Sequence, residues 1–362
     1  MSTGPQLRID WKPKLPEGAD FGIGIIGAGF VAMDYHLPGY AKAGFRVLAV
    51  ADLREEAALA AQNRFGIPHA FTDYRYILDM PEIDIVDILT PRAGRLQIVR
   101  DVAAAGKHIM SQKPLASTYA EARAMVEAAE TAGVRMGVHL HYRWLPAYRA
   151  AWVLLRQGYI GQPLLLSHRM VGNQDATYYE DARRRWNAEI EDFLLVEWGA
   201  HQLDFLRFWA AQRPLRIFAS TTRAPDQNFR SDMIAAVIAE FAGGARGVLI
   251  MDQVQRASEG LMDFRIEGSA GGIAGSNFVH VAVARAGEPP RPVALDIPSV
   301  WMEMVNLSYV GTMSEMFWAL VEGRDPVSSA RDNLDSVAMC EAAVISAREG
   351  RAVDIAEIEH TP

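Results

Sequence analysis

The chain has a single cysteine, Cys340, among 362 residues. No intramolecular disulfide can form, and no cysteine-rich zinc site can be built. Cys340 reads as a small buried side chain on a C-terminal helix, and a lone thiol fits a reducing cytoplasm. Positive charge is also scarce: 36 Lys and Arg against 44 Asp and Glu leave a net charge of −8. A general nucleic-acid binder needs a basic field, so that class is excluded while a local phosphate site is not. No apolar run reaches the ~20 residues that cross a bilayer, so no membrane partner is expected. Residues 1–20 lack the compact basic start of a secretion signal, with Asp10, Glu17 and Asp20 ahead of the apolar run at 21–33. They read as an irregular arm, either a free tail or a segment packing on a neighbouring subunit. Internal repeats and low-complexity tracts are absent.

Half of the residues are hydrophobic and 22% are charged, as in a packed globular protein, and the length suits two domains. From residue 22 to about 140, strand and helix patterns alternate. Strands are expected at 22–28, 46–52, 83–90, 108–110 and 135–140. Helices are expected from 31, interrupted by Pro38, and at 54–66, 96–106 and 119–133. The run IDIVDILT is continuously apolar apart from its aspartates, as in a strand covered on both faces. This alternation predicts a doubly wound parallel sheet. After about 145 the pattern changes to a helix at 147–157, a strand at 164–172, an arginine- and tyrosine-rich stretch at 173–192 and an apolar helix at 194–210. Four strand-like runs follow, several of them alternating apolar and polar residues like a half-covered antiparallel sheet. Gly243-Gly244 marks a hairpin, and helices close the chain at 303–322 and 332–349. The domains expected are an arm at 1–20, a dinucleotide-binding domain at 21–143 and a second domain at 144–362 that binds substrate and oligomerises.

Gly27-Ala28-Gly29-Phe30-Val31-Ala32 follows the first strand and opens a helix, in the pattern G-x-G-x-x-[GA]. Gly27 permits the tight turn, Gly29 lets a pyrophosphate approach the backbone, and Ala32 lets helix and sheet pack closely. Asp52 ends the second strand, where a carboxylate accepts hydrogen bonds from a ribose and repels a 2′-phosphate. That favours NAD over NADP, although Arg54 beside it could pair with a 2′-phosphate. Thr90-Pro91 ends the third long strand and Gln112-Lys113-Pro114 ends the next. All should line one crevice with Gly27–Gly29, because ligands of such sheets bind beyond the strand carboxyl ends.

In LLVEWGAHQLDFLRFW, Glu197, His201 and Asp204 stand at i, i+4 and i+7 and share one helix face. A carboxylate four residues before a histidine can orient its ring and raise its basicity. A cation held by the same three side chains is the rival reading. The expected lysine nearby and a nicotinamide as hydride acceptor count against it, so no metal is expected.

Taken together, GIIGAGFVA, AVAD, DILTP, AGKHIMSQKPLA, the helix with His201 and Asp204, and the late EGRDPVSSARDNLDSVAMCEAAVISAREGRAV segment resemble the Gfo/Idh/MocA oxidoreductases. The resemblance implies a Rossmann domain followed by a domain with an open, mostly antiparallel sheet, often the surface of a dimer or tetramer. It implies NAD(P)-linked redox chemistry on a sugar, polyol or sugar acid. The family's E-K-P lysine falls on Lys113, and its D-x-x-x-H pair with a following Asp falls on Glu197, His201 and Asp204. Gln112 replaces the usual glutamate, Glu197 the usual aspartate, and Arg95 a histidine. Arg92 and Arg95 could instead bind phosphate or an anionic substrate.

The cofactor contacts expected are Gly27, Ala28, Gly29, Phe30, Val31, Asp52, Leu53, Arg54, Thr90, Pro91, Gln112, Lys113 and Arg143. His201 would take the hydroxyl proton while Lys113 holds the same oxygen, and these two roles could be exchanged. Glu197 would orient His201, and Asp204 would hold a substrate hydroxyl or support the network. Substrate contacts are expected from Lys113, Arg143, Arg169, Asn173, Trp186 and His201, with His139, His141, Tyr178 and Arg185 as further candidates. An aldose oxidised to its lactone and an aldonate are both compatible. The alternatives are transient use of NAD in glycoside cleavage or epimerisation, and a non-catalytic dinucleotide sensor.

Overall fold

The structure is a computed structural model that describes residues 7–256 and 260–360. The chain forms two compact units. One comprises Lys12–Trp144 and Pro298–Leu334. The other comprises, among the described residues, 7–11, 145–297 and 335–360.

In the first unit, largely apolar segments become strands, of which β1, β4 and β6 are buried throughout and the edge strand β3 is not. They are β1 (Gly22–Ile26), β2 (Arg46–Ala51), β3 (His69–Phe71), β4 (Ile85–Ile88), β5 (His108–Ser111) and β6 (Met136–Val138). All pairings are parallel, in the order β3-β2-β1-β4-β5-β6. This is the doubly wound order with its switch point between β1 and β4. The crossovers carry α1 (Leu37–Ala43), α2 (Glu55–Phe65), α3 (Arg75–Leu78), α4 (Arg95–Ala104) and α5 (Tyr119–Thr131). The helix expected from residue 31 begins as a π-helical turn, Ala32–His36, and hands over to α1 with Pro38 in its first turn. Proline has no N–H to give and is tolerated there.

The second unit holds α6 (Pro146–Arg156), β7 (Pro163–Val171), α7 (Gln174–Glu180), α8 (Gly199–Ala210), β8 (Pro214–Thr222), β9 (Ile234–Phe241), β10 (Arg246–Asp252), β11 (Leu261–Gly268), β12 (Gly271–Ser276), β13 (His280–Arg285) and β14 (Arg291–Pro292). Two long helices follow, α9 (Trp301–Glu322) and α10 (Ala330–Glu349), then β15 (Val353–Asp354) and α11 (Ile355–Glu359). Among the described residues, the nine strands run β14-β13-β12-β11-β7-β10-β9-β8-β15, and only β7 and β10 of them pair in parallel. Gly244 makes the expected hairpin turn at φ +90°, its N–H on the Phe241 carbonyl at 3.0 Å. Strand alternation sends His168 and Phe264 to one face, where Phe205 and Trp209 of α8 pack on them. On the other face Phe218, Ile238 and Val248 are cross-strand neighbours, and Phe218 and Ile238 are exposed.

Two segments depart from the expected domains. Residues 298–334 were expected with the C-terminal domain but cluster with the parallel sheet. The reason is α9, whose Val310, Met313, Met316 and Phe317 share one core with Ile23, Ile25, Tyr40 and Met110. Residues 7–11 of the arm pair with their own chain, Ala294 donating to Leu7 and Ile9 donating to Ala294. Trp11 is buried there with Nε1 on the Asp296 carbonyl at 3.0 Å. Residues 1–6 of the arm lie outside the described residues.

Candidate active site

The carboxyl ends of β1, β2, β4 and β5 converge on one row. Gly27 turns out of β1 at φ +101°, its N–H on the Ala51 carbonyl at 2.7 Å. A Cβ there would stand 3.0 Å from the carbonyl carbon of Leu89, so only glycine fits both the angle and the space. Asp52 bridges the turn, Oδ2 accepting from Ala28 N–H (2.8 Å) and Oδ1 from Arg54 N–H (3.0 Å). Each oxygen keeps a lone pair for another donor. The Arg54 guanidinium lies 3.4 Å from Oδ1 and is largely exposed, as is Leu53. Phe30 and Val31 are half-buried, and Pro91 is exposed.

Two observations match a dinucleotide. A Cβ on Gly29 would meet nothing within 4 Å, so the turn is open where a pyrophosphate must approach. Thr90 Oγ1 is buried with no hydrogen-bond partner among the described residues. Gly27–Gly29, Asp52 and Thr90 are the groups that would hold the cofactor.

Next in the row come Gln112, buried, and Lys113, half-buried, with Lys113–Pro114 a cis peptide. Arg95 holds this segment. It is only 1% exposed, and its guanidinium donates to the carbonyls of Thr90 (2.5 Å), Gln112 (2.5 Å), Pro114 and Leu115 (3.1 Å). This corrects the expectation that Arg95 binds phosphate or an anionic substrate: its donors are turned onto backbone inside the fold, tying the end of β4 to the end of β5. Arg143 is likewise buried, bonded to the Val327 carbonyl (3.1 Å) and Asp332 (3.3 Å).

In the second unit, Glu197 lies in a π-helical turn, Leu194–Trp198, that leads into α8. The wider turn changes its rotation relative to His201 from that of a regular helix; π turns of this kind recur at functional sites. His201 and Asp204 are buried. Asp204 Oδ1 accepts from Ser336 Oγ (2.7 Å) and lies 3.4 Å from Arg207 Nη2, while Arg207 Nε donates to Ser336 (3.1 Å). Asp204 is thus anchored from two sides, which suits a supporting member of the network.

Several of the expected substrate contacts are held by partners near them in the chain or on the next strand. Arg169 points to the sheet face opposite α8 and forms a bidentate pair with Asp263 on β11, because neighbouring residues of a strand alternate faces. Asn173 caps α7, accepting from Ala176 N–H at 3.4 Å. Tyr178 packs on Phe193, Trp198 and Phe229 under the Arg184 guanidinium. Arg185 donates to the Tyr179 carbonyl, and Trp186 is exposed. In the first unit, His141 stacks on Tyr309, and His139 joins a buried cluster with His36 and Asp87. Sequence reasoning missed that cluster. Its signal was Asp87, a carboxylate inside an apolar strand, which must be paired to be buried there.

Residues 21–140 match the model of the oxidoreductase family with an NAD-binding Rossmann fold, Gfo/Idh/MocA, and residues 148–274 match that family's C-terminal domain. The chain belongs to this family and is an NAD-binding oxidoreductase. It is 30% identical over 345 residues to a D-apiose dehydrogenase of Paraburkholderia graminis, covering 92% of this chain and 90% of that one. It is 28% identical over 283 residues to a levoglucosan dehydrogenase of Pseudarthrobacter phenanthrenivorans, covering 69% and 72%. An oxidoreductase from Agrobacterium radiobacter, solved with NAD+, L-tartaric acid and magnesium, superimposes with a TM-score of 0.82 at 25% identity, covering 93% of this chain and 99% of that one.

Proposed function

We propose that the protein is an NAD-dependent dehydrogenase of a sugar-like hydroxyl, with an aldose oxidised at its anomeric carbon to a lactone as the leading substrate class. The observation that carries this reading is the position of Lys113. It follows β5 in the same row of strand ends as the Gly27–Gly29 turn and Thr90. The D-apiose dehydrogenase relative, aligned over nearly the whole chain, supports an aldose. NAD, when bound, supplies the hydride acceptor.

Lys113 hydrogen-bonds the reacting oxygen and stabilises the negative charge that grows on it as the C1–H bond breaks. His201 takes the hydroxyl proton, so that the hydroxyl carbon becomes a carbonyl with no charge left behind. Glu197 orients the His201 ring and stabilises its protonated form, and Asp204, held by Ser336 and Arg207, supports that network. Arg143 serves by bracing the segment at Val327 and Asp332. The first unit holds NAD; the second selects substrate, and its uncovered sheet face joins copies of the chain into a homo-oligomer. The enzyme works in the cytoplasm, in keeping with its single, buried thiol.

The test is a panel of D-apiose, other aldoses, polyols and aldonates, each assayed separately with NAD and NADP. We expect NADH formation with an aldose and weaker use of NADP. Lys113→Ala and His201→Ala should each lower kcat by about 10²- to 10⁴-fold. Turnover that survives both substitutions, or product formed without net NADH, overturns the proposal.

A further inference from the structure

Beneath Gln112 and Lys113 lies a chain of polar groups that no step above uses. Gln112 Oε1 accepts the Lys113 N–H at 2.8 Å. That leaves the amide NH2 facing His36 Nε2 at 3.3 Å. An NH2 group only donates, so His36 Nε2 carries no proton and the ring is the neutral Nδ1–H tautomer. The Nδ1–H faces Tyr40 Oη at 3.1 Å and Asp87 Oδ2 at 3.3 Å. Tyr40 donates its own hydroxyl proton to Asp87 Oδ2 at 2.8 Å. Asp87 Oδ1 lies 2.8 Å from His139 Nε2, and His139 Nδ1 lies 2.7 Å from Thr312 Oγ1 on α9. His36, Tyr40, Asp87 and His139 have no exposed surface. The rings of His139 and Tyr309 pack on His36 at 4.5 and 4.1 Å, and His141 stacks on Tyr309.

Burying so many polar groups is costly unless each is satisfied, and such a network then fixes one arrangement. The cluster is bonded to itself. Asp87 and His139 stand at hydrogen-bond distance, whereas two ligands about 2.0–2.1 Å from one tetrahedral zinc ion would stand roughly 3.3 Å apart. Burial, then the neighbouring His139, pushes the His36 pKa down to about 4 against the pull of Asp87. Burial alone would raise the Asp87 pKa, but His139 and His36 together hold it well below the usual carboxylate range.

We propose that His36, Asp87 and His139 are positioning residues for Gln112 and Lys113: a buried relay, built around a neutral His36, that sets which way the Gln112 amide points. The proposal rests on the assignment of Lys113 to the reaction. Glutamate at position 112 would place a second carboxylate across His36 from Asp87, and the ring between them would take up a proton. The amide at 112 and the neutral imidazole at 36 are therefore a matched pair.

The test uses the full chain with 15N-labelled histidine. Of the nine histidines, His36 is identified by the signal lost in His36→Asn. The wild-type ring should show the neutral Nδ1–H tautomer from about pH 8 down to about pH 5. In Gln112→Glu, a near-isosteric change, the same ring should be an imidazolium at neutral pH. Gln112→Glu and His36→Asn should each lower kcat about tenfold and shift the kcat–pH profile, with KM for NAD changed less than about threefold. An Nε2–H tautomer in the wild type, or a His36 that stays neutral in Gln112→Glu, overturns the relay. Normal turnover in Lys113→Ala would overturn the assignment of Lys113, whereas the tautomer, read without turnover, tests the relay by itself.

Discussion

Arg95→Met removes a cation that is only 1% exposed and is bonded to four backbone carbonyls. Methionine fills much of the volume but gives no hydrogen bond. A buried acceptor left without a donor costs about 1–3 kcal/mol. With two of the four carbonyls re-satisfied by local shifts, the net loss is about 4 kcal/mol. This loss falls on the ends of β4 and β5, where Thr90, Gln112 and Lys113 sit. A misplacement of about 1 Å at a reacting group costs about 100-fold in rate, so kcat should fall by that order. Arg95→Lys keeps the charge but not the fork of donors and should fall between the two. Hydrogen exchange by mass spectrometry should show faster exchange across 108–116 in Arg95→Met, with the nine-stranded sheet unchanged. A variant with kcat within about threefold of wild type and unchanged protection at 108–116 would refute the clamp.

Two further outcomes follow from charge and exposure. Ile238→Lys places a cation between Phe218 and Val248 on the uncovered sheet face; sedimentation should show a smaller species than the wild type, and an identical assembly removes this face as the contact. Acid should weaken the fold through two buried histidines, with burial the main cause pushing His36 down to about 4 and His168 to about 3 from an ordinary 6.5. The unfolded chain then binds protons that the native state refuses. Stability is therefore intact above pH 6.5 and falls below it by up to about 1.4 kcal/mol per pH unit for each histidine. The loss levels off near pH 4 for His36 and pH 3 for His168. Urea midpoints measured at pH 7 and pH 5 should differ accordingly, and equal midpoints would sink this account.

The parallel sheet was legible because its strands are nearly continuous apolar runs and its glycines sit where backbone angles demand them. Gly27 needs a positive φ and has the Leu89 carbonyl against it, so the motif and the geometry coincide. The short outer strands β12 to β15 were not legible: β12 reads GGIAGS, with little side-chain pattern to see. The π turn at Leu194–Trp198 was not legible either, because spacing rules assume 3.6 residues per turn. Arg95 looked like a ligand for anions because an arginine after a strand end commonly is one. Its four acceptors are backbone carbonyls, which carry no signature in the sequence. Arg169 illustrates a smaller failure: its residue type suggested a sugar contact, but strand parity sent it to the opposite face.

The sharing of one core between Ile23, Met110 and the α9 residues Met313 and Phe317 bears on synthesis as well as on stability. The dinucleotide-binding unit is not finished when β6 leaves the ribosome. Its last structural layer is encoded after eight strands of the second sheet, β7 to β14, have been threaded through. At ordinary translation rates, that wait is on the order of ten seconds or more. Until α9 arrives, an apolar flank of the nascent first unit stands open to solvent and to chaperones. A fragment cut after β6 would inherit that open flank permanently. Two stretches of the chain nearly 300 residues apart, around Ile23 and Phe317, are thus bound to one hydrophobic core, and the NAD-binding unit is completed by a helix made long after its sheet.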